Sequence, residues 1–261
     1  VIVPSASLLP ENDPTTLFTG AGMQPMIPYL LGEKHPSGQD IANSQKCLRT
    51  GDINEVGDNS HLTFFEMVGR WAFSADPATY KKDQIQRMWD WHVGELGIDP
   101  ARLYVSVYQG NETLGIERDE DAIAVWTALF ESVGVDPKVE DDPFTHGASR
   151  GGRIFLYDEG ENWWSRAGVP DNMPAGEPGG PDSEMFYDFD PAGDPKDHPA
   201  ADSPRFLEIG NNVFMEYQKT DSSFAQLPAQ NVDFGGGLER ITAAANGDGD
   251  VFKIDLLWNV I

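Results

Sequence analysis

The sequence predicts an α+β fold in which an antiparallel β-sheet is flanked by helices. Strand-like segments follow one another closely in the second half of the chain, at residues 184–188, 206–217 and 224–233, with turn residues rather than helices between them. Strands joined without a helical crossover pair in antiparallel fashion. In the first half, apolar residues at helical spacing predict two amphipathic helices, at residues 85–96 and 123–133.

Shorter patterns predict the remaining elements. Strands are predicted at residues 17–19, 46–49, 61–69, 103–108 and 154–157, and helical stretches at residues 238–246 and 251–261. Residues 52–60 are polar and acidic, which is typical of a loop. Residues 158–183 are rich in Gly and Pro and contain Trp163 and Trp164. We predict an unstructured but functional segment there, because long structureless loops inside a domain are usually functional.

Composition excludes several classes of protein. The 261 residues include 43 acids and 18 bases, which gives a formal net charge of −25. So acidic a surface repels nucleic acid, and any contact with one is expected to be local. No apolar run is long enough to cross a membrane, so no membrane partner is predicted. Cys47 is the only cysteine, which excludes an intramolecular disulfide and a cysteine-cluster zinc site and fits the cytoplasm.

Common hydrolase and phosphate-loop motifs are absent from the sequence. It has no Gly-Lys-Ser/Thr run, no His-Glu-x-x-His and no Gly-x-Ser-x-Gly, and its five histidines are scattered without ligand spacing. Neither a Ser/His/Asp hydrolase nor a metalloprotease is therefore predicted.

The stretch with the most chemical information is residues 231–240 (NVDFGGGLER). A strand-like run ends at Asp233, three glycines follow, and Leu238 begins a predicted helix. Glycines let a ligand approach the backbone closely, the helix start offers free N–H groups to an anion, and Arg240 supplies a planar cation. A glycine triplet alone is more simply explained as a flexible turn. The acid before it and the arginine after it favour a ligand site.

Two isolated charged residues are further candidates. Arg49 ends a predicted strand, where its guanidinium could hold a phosphate or carboxylate through two hydrogen bonds; the simpler alternative is a surface ion pair. Glu66 lies in the apolar run 61–69 and needs a partner, since an unpaired buried carboxylate is unfavourable. The partner is either a ligand or a structural arginine.

The strand predicted around residues 207–215 suggests a small pocket. Alternation places Ile209, Asn211 and Val213 on one face, with Glu208, Gly210 and Asn212 on the other. An asparagine between two aliphatic residues suggests a small polar ligand in an apolar pocket, which Trp163 and Trp164 could wall, although core packing is the usual role of tryptophan.

Taken in chain order, these motifs resemble the catalytic domain of alanyl-tRNA synthetases, a family of class II aminoacyl-tRNA synthetases. Each run is weak, but the ordered set is specific and extends over most of the chain. The runs are residues 13–15 (DPT), 17–23 (LFTGAGM), 45–49 (QKCLR), 56–57 (VG), 63–67 (TFFEM), 162–164 (NWW), 180–184 (GPDSE), 208–211 (EIGN), 213–215 (VFM) and 232–240 (VDFGGGLER).

The resemblance implies a class II synthetase-like sheet, the ATP-dependent activation of L-alanine to alanyl-adenylate, and transfer of the alanyl group to the 3′ end of tRNA(Ala). ATP and Mg²⁺ are the implied cofactors, and no zinc is expected in this part. Catalytic roles fall to Arg49, at the α-phosphate and the alanine carboxylate, to Asp233, at the alanine ammonium, and to Arg240, at the nucleotide. Further implied substrate contacts are Met23, Glu66, Met67, Trp164, Asn211, Val213 and Gly235. Implied nucleotide contacts include Trp164, Ile209, Gly210, Asn211 and Gly237, with Glu208 as the candidate for Mg²⁺.

The sequence departs from the family pattern at several positions. Leu62 stands where many members have a histidine that touches ATP, Gly210 where a tryptophan is usual, Asp182 where a cysteine is common, and Arg70 where Asn or Ser is usual. These departures concern the adenine side more than the alanine pocket. Two alternatives therefore stay open: a non-catalytic paralogue that binds a nucleotide or small amino acid, and a ligase that charges a carrier protein.

The resemblance also predicts the domain organisation. Residues 1–261 are expected to form one alanine-activating catalytic domain, truncated at both ends, with the tRNA-binding and editing domains absent. The chain is then either an excised activation domain or a stand-alone paralogue.

Overall fold

Nine strands form one mixed β-sheet in the computed structural model, which describes residues 1–11, 16–201 and 203–260, apart from the side chain of Pro228. The strands are β1 (Asp40–Leu48), β2 (Phe64–Ala75), β3 (Leu103–Tyr108), β4 (Val139–Glu140), β5 (Ile154–Tyr157), β6 (Trp163–Ser165), β7 (Pro178–Asp188), β8 (Phe206–Lys219) and β9 (Phe224–Gly237). Their spatial order is β1-β2-β9-β8-β7-β3-β5-β4, and β6 pairs with β7. The motif at residues 13–15 lies outside the described residues.

The direction of the strands confirms the α+β prediction and adds one feature to it. All neighbours from β1 to β3 run antiparallel, and so does β6 beside β7. The pairs β3–β5 and β4–β5 are parallel. The connection from β3 to β4 contains a helix, as parallel neighbours require. The strands β5 and β4 at one edge of the sheet are therefore parallel and follow helical connections. The antiparallel strands form the part of the sheet that carries the candidate site.

Helices pack on the sheet. They are α1 (Ile27–Leu30), α2 (Tyr80–Trp89), α3 (Glu120–Ser132), α4 (Pro143–His146), α5 (Leu238–Asn246) and α6 (Asp255–Trp258); α2 continues into a π-helical stretch, Asp90–Glu95. Among them, α2, α3 and α5 cover one face of the sheet. The two helices predicted in the first half are confirmed. The Asp119 side chain caps α3 by accepting from the backbone N–H of Ala122 at 3.0 Å, and α5 ends at Gly247 in the left-handed conformation. No helix in the described ranges is long and apolar enough to cross a bilayer.

Each face of the sheet has its own apolar core. On the helix face, Ile85, Trp126, Phe130 and Ile209 belong to the largest cluster of buried side chains. On the opposite face, the segment that leads into α1 packs on the central strands. The buried residues of that second cluster are Met23, Met26, Leu30, Ile41, Trp71, Phe73, Val213 and Met215. The sheet is thus enclosed on both sides around its middle strands.

Several local predictions are wrong. Residues 17–19 do not form a strand, and residues 158–183 are not structureless, since they contain β6 and the start of β7. The stretch predicted as a helix at 251–260 is a 3₁₀ turn, Val251–Lys253, followed by the short α6; residue 261 is outside the described ranges. A glycine- and proline-rich composition did not prevent β7 from forming, because its glycines permit close approach of neighbouring backbone, as at Gly180 beside the carbonyl of Phe214.

The glycine triplet is part of a strand rather than a turn. We expected the strand to end at Asp233, but β9 continues to Gly237 and pairs with β2 along its whole glycine run. A Cβ on Gly236 would lie 2.9 Å from the Ile209 carbonyl oxygen, and one on Gly235 would lie 3.0 Å from Met67 Sδ. The glycines therefore allow close packing across the sheet, and α5 begins directly after them.

A β-bulge overturns the alternation predicted around residue 209. Met185 of β7 pairs with Gly210, whereas the next residue, Phe186, pairs with Glu208, so Ile209 is the extra residue. Ile209 is fully buried in the helix-face core, and a Cβ on Gly210 would lie 2.7 Å from Met88 Cε on that same face. The side-chain positions of both residues thus face away from Glu208 and Asn211. A nucleotide contact by Ile209 or Gly210 stays a prediction for their backbone atoms.

A substitution at Gly69 tests the close packing on the sheet face opposite the helices α2, α3 and α5. A Cβ there would overlap the ring of Trp71, which is fully buried. We expect Gly69→Ala to lower the free energy of unfolding by about 1–3 kcal/mol, the usual effect of overpacking a core. Urea denaturation measures the change. Gly94→Ala is the control, because a Cβ at Gly94 has no atom within 4 Å; equal destabilisation by the two substitutions would contradict this account.

Candidate active site

The candidate site lies on the sheet face opposite α2, α3 and α5, where four antiparallel strands run side by side. Cross-strand pairs line up there in two rows. The first row consists of Trp71, Asp233, Val213 and Asp182, and the second of Gly69, Gly235, Asn211 and Glu184. Because side chains alternate between faces along a strand, both rows project to the same side. The pairing brings together residues from three distant parts of the sequence.

A cavity of about 270 Å³ opens beside the second row. The glycine triplet, residues 235–237, forms one side of it, so backbone groups are accessible to a ligand. Of the predicted site residues, the structure places Arg49, Met67, Glu208, Gly235, Gly237 and Arg240 at this cavity. A ligand in the cavity can therefore come close to the backbone of these glycines, although they belong to strand β9.

Two arginines provide positive charge at the cavity. Arg49 donates through Nε to the carbonyl oxygen of Gly20 at 2.8 Å, and its guanidinium carbon lies 5.1 Å from the centre of the Phe65 ring. Its two terminal nitrogens make no hydrogen bond within the described ranges. Arg240 donates through Nη1 to Glu208 Oε2 at 3.2 Å. A guanidinium held by one nitrogen keeps a planar pair of donors for a phosphate or carboxylate.

Asp233 carries a buried carboxyl group without a cation beside it. It is 6% exposed and pairs across the sheet with Trp71 on one side and Val213 on the other. Burial raises the pKa of Asp233 to about 7, and the nearby indole N–H of Trp71, which makes no well-formed hydrogen bond, offsets only part of the rise. A carboxylate in this position favours a cationic ligand, which would restore its ionised form.

The predicted substrate residues Met23, Trp164 and Val213 meet next to Asp233. Met23 and Val213 are buried in the second apolar cluster together with Trp71, and Trp164 packs against its edge. Trp163 does not wall this pocket, because it packs in another cluster with Tyr108 and other residues. At Trp71 and Val213, which pair with Asp233 in the first row, the row therefore borders an apolar surface.

Glu66 is not brought to the cavity. Its neighbours Phe65 and Met67 line the cavity, while Glu66 itself points to the other face of β2 and accepts from the Ser44 hydroxyl at 2.7 Å. Neither of the two partners considered for it, a ligand or an arginine, is the one observed. The strand period explains this difference, because an acid between two cavity-lining residues must face away from them.

Sequence reasoning did not identify Trp71 or Glu239 as parts of the site. Glu239 is 3% exposed, lines the cavity, and accepts from the backbone N–H of Glu66 at 3.0 and 3.2 Å, at the point where β9 ends and leaves β2 unpaired. A signal for Trp71 was available: it follows Gly69 at the two-residue spacing of one strand face, where a glycine makes room for a large ring. Glu239 had only the weak signal of an acid in the first turn of a helix.

The raised pKa of Asp233 predicts a pH-dependent effect on stability. The folded state keeps the proton up to about pH 7, whereas the unfolded chain loses it near pH 4, so this residue makes the free energy of unfolding fall as the pH rises from about 4 to 7. We expect Asp233→Asn to be more stable than the wild type at pH 8, on the order of 4 kcal/mol, since the pKa of Asp233 lies about three units above that of a free aspartate and each pKa unit corresponds to roughly 1.4 kcal/mol. At pH 4 the gain should vanish. Urea denaturation at both pH values measures the difference, with the exposed Asp221→Asn as control; the same difference at both would refute the assignment.

Comparisons with known proteins identify the family of this chain. The family model described as tRNA synthetases class II (A) matches residues 1–261. The alanine–tRNA ligase of Treponema denticola is 40% identical over 267 residues, which cover all of this chain and 39% of that protein. The alanine–tRNA ligases of Treponema pallidum and Rubrobacter xylanophilus are 40% and 39% identical, covering 98% and 100% of this chain but 38% and 27% of theirs. The chain thus spans about two-fifths or less of the length of these relatives. Because the family model matches it from end to end, the chain belongs to the class II tRNA synthetases (A).

Proposed function

We propose that this chain activates L-alanine with ATP to form alanyl-adenylate, as the catalytic part of an enzyme that transfers alanine to the 3′ end of tRNA(Ala). The observation that carries the proposal is the buried carboxyl of Asp233, which has no cation among the groups that shift its pKa and lies two residues before Gly235, at a cavity that Arg49 and Arg240 also line. The names of the relatives, alanine–tRNA ligase, support the choice of amino acid.

The proposed reaction needs charge neutralisation rather than proton transfer. A carboxylate oxygen of alanine attacks the α-phosphorus of ATP, and the bond from that phosphorus to the pyrophosphate oxygen breaks. Negative charge accumulates on the α-phosphate oxygens during this step. Arg49 can contact both the alanine carboxylate and the α-phosphate, and Arg240 can contact the rest of the nucleotide. Fixed guanidinium groups of this kind stabilise the transition state without reorganisation.

The proposed selectivity for alanine depends on the first row and on the apolar residues that pack beside it. Asp233 receives the ammonium group, and Met23, Trp164 and Val213 belong to the apolar surface beside it, which would hold a small apolar side chain. Gly235, Met67 and Asn211 lie between this pocket and the cavity. An amino acid bound with its ammonium at Asp233 would thus direct its carboxylate toward the nucleotide.

The proposed Mg²⁺ fits as a companion of ATP. Within the described ranges, no group of three or more His, Cys, Asp or Glu residues is arranged to hold a metal ion. The carboxylates of Asp52, Glu239 and Glu208 line the cavity, and Glu208 already accepts from Arg240. Mg²⁺ commonly uses one or two carboxylates together with substrate phosphates, so these residues could hold it when it arrives with ATP, where it would neutralise phosphate charge.

One observation favours a second candidate function. Leu62, rather than the histidine found in many family members, lines the cavity. A non-catalytic paralogue that binds a nucleotide or small amino acid would tolerate this loss of a polar contact. A paralogue of this kind would bind ATP without turnover.

A ligase that charges a carrier protein would keep the same first step and differ only in the acceptor. A comparison of tRNA and a carrier protein as acceptors of the alanyl group distinguishes the two.

Alanine-dependent ATP–pyrophosphate exchange tests the proposed function directly. We expect exchange with alanine, and its loss in Asp233→Ala, because no other buried acid in the first row adjoins both Trp71 and Val213. The variant should still bind ATP. Asp221→Ala, which removes an exposed acid, is the matched control. Absence of exchange with alanine, glycine and serine by a wild-type protein that binds ATP would overturn the proposal.

Arg49 should contribute strongly to the same reaction. We expect Arg49→Ala to reduce kcat/KM for exchange by about 100-fold, or ~3 kcal/mol, the scale of losing one preorganised donor. Arg49→Lys should recover little of the loss, because an ammonium cannot replace a planar pair of donors. Arg118→Ala removes an exposed arginine that pairs with Glu120 and serves as the control. Equal rates for Arg49→Ala and the control would refute the role of Arg49.

A further inference from the structure

Five side chains next to the second row form a closed ring of hydrogen bonds. Asn162 Nδ2 donates to Asp182 Oδ1 at 2.9 Å and to Ser106 Oγ at 2.8 Å. Ser106 Oγ donates to Glu184 Oε2 at 3.2 Å. Asn211 Nδ2 closes the ring by donating to Asp182 Oδ2 at 3.2 Å and Glu184 Oε1 at 3.4 Å. All four carboxylate oxygens and all four amide hydrogens of the ring are thereby used.

The ring is held rigidly by the strands around it. Asn162 and Ser106 are fully buried and Asp182 is 2% exposed. The backbone N–H of Asp182 donates to the Asn162 carbonyl at 3.1 Å, and Ser183 Oγ donates to the Ser106 carbonyl at 2.8 Å while accepting from Trp126 Nε1 at 2.8 Å. The peptide groups that carry the ring are therefore fixed from both faces of the sheet.

Burying two carboxyl groups in this ring is unfavourable by itself. Burial raises the pKa of Asp182 to about 7, against the lowering effect of the hydrogen bonds from Asn162 and Asn211. Burial and the neighbouring Asp182 also raise the pKa of Glu184 well above its ordinary value. Apolar residues of similar size would stabilise the sheet better, which indicates that the two acids serve a purpose other than stability.

The ring determines how Asn211 presents its amide. Both hydrogens of its Nδ2 point to the carboxylates on β7, so Oδ1 lies on the opposite side of the amide carbon. This oxygen is buried and has no hydrogen-bond partner within the described ranges. Rotating the amide by 180° would bring Oδ1 against two carboxyl groups whose four oxygens act as acceptors in the ring, so two hydrogen bonds would be lost and an ionised carboxylate would repel Oδ1. Asn211 is therefore held as an acceptor, next to Gly235 at the cavity.

We propose that Asp182 and Glu184 are positioning residues that orient Asn211, so that its Oδ1 accepts from the ammonium group of the bound amino acid. This inference rests on the proposed function, in which Asp233 receives the same ammonium from the neighbouring strand. Asn211 and Asp233 then flank the ammonium from β8 and β9, and Asp182 and Glu184 act without touching it. An α-amino group with three hydrogens can satisfy both acceptors at once.

The test is a double-substitution cycle in the alanine-dependent exchange assay. Asp182→Asn and Glu184→Gln leave the shape of the ring unchanged but allow the Asn211 amide to rotate. We expect each to raise KM for alanine about tenfold, as loss of one hydrogen bond to a charged group implies, and to leave KM for ATP within about twofold. In an Asn211→Ala background, the same substitutions should change KM for alanine no further.

The controls separate this inference from the proposed function and from a loss of folding. Asp171→Asn removes an exposed charge outside the ring and should leave both KM values unchanged. If a ring variant does not fold, Ser106→Ala, which removes the donor to Glu184 and an acceptor of Asn162, replaces it with an expected rise of about threefold in KM for alanine. Wild-type protein without alanine exchange would overturn the proposed function. Active wild-type protein, combined with an unchanged KM for alanine in the ring variants or with effects that persist in Asn211→Ala, would overturn the positioning role.

Discussion

The burial of carboxyl groups on one face of the sheet is the constraint on which the candidate site depends. Asp182, Glu184 and Asp233 are carried by the central strands, and no cation is among the groups that shift their pKa values. Each therefore needs hydrogen-bond donors or a cationic ligand. For Asp182 and Glu184, the donors come from Asn162, Asn211 and Ser106. For Asp233, the protein supplies only a weak contact from Trp71. Asp233 is therefore the buried acid whose missing partner a cationic ligand would provide.

The same constraint explains why the sheet is so tightly packed around these residues. Glycines at 69 and 235 stand in the second row, where any side chain would meet Trp71 or Met67. Trp71 can then lie over Gly69 and exclude water from Asp233. The glycine triplet thus contributes to the site in two ways, by admitting a ligand to the backbone and by allowing the aromatic cover that keeps Asp233 in an apolar environment.

Much of this arrangement was predictable from the sequence, and the exceptions have physical reasons. Periodicity identified most strands and both long helices, and the ordered motifs placed Arg49, Gly235, Gly237 and Arg240 in a common site. The bulge at Ile209 was not predictable, because one extra residue reverses the faces of its neighbours and leaves no mark in composition. The strand through the glycines was missed because the pairing of β9 with β2 overrides the low strand preference of glycine. The ring around Asn211 joins residues from three strands, β3, β7 and β8, with Asn162, which precedes β6. Contacts between residues so far apart in the sequence depend on the order of strands in the sheet, which the sequence patterns do not reveal.

The distribution of charge orients a bound amino acid. The chain carries a formal net charge of −25, yet Arg49 and Arg240 line the cavity among its acids, while Asp233 lies in the first row. A zwitterion that enters this field lowers its energy by turning its ammonium toward Asp233 and its carboxylate toward Arg49. That orientation places the nucleophilic oxygen on the side where a nucleotide phosphate would meet the same guanidinium. In the proposed reaction, the Arg49 guanidinium at the cavity and the Asp233 carboxyl in the first row therefore fix the direction in which the amino acid must bind for its carboxylate to react.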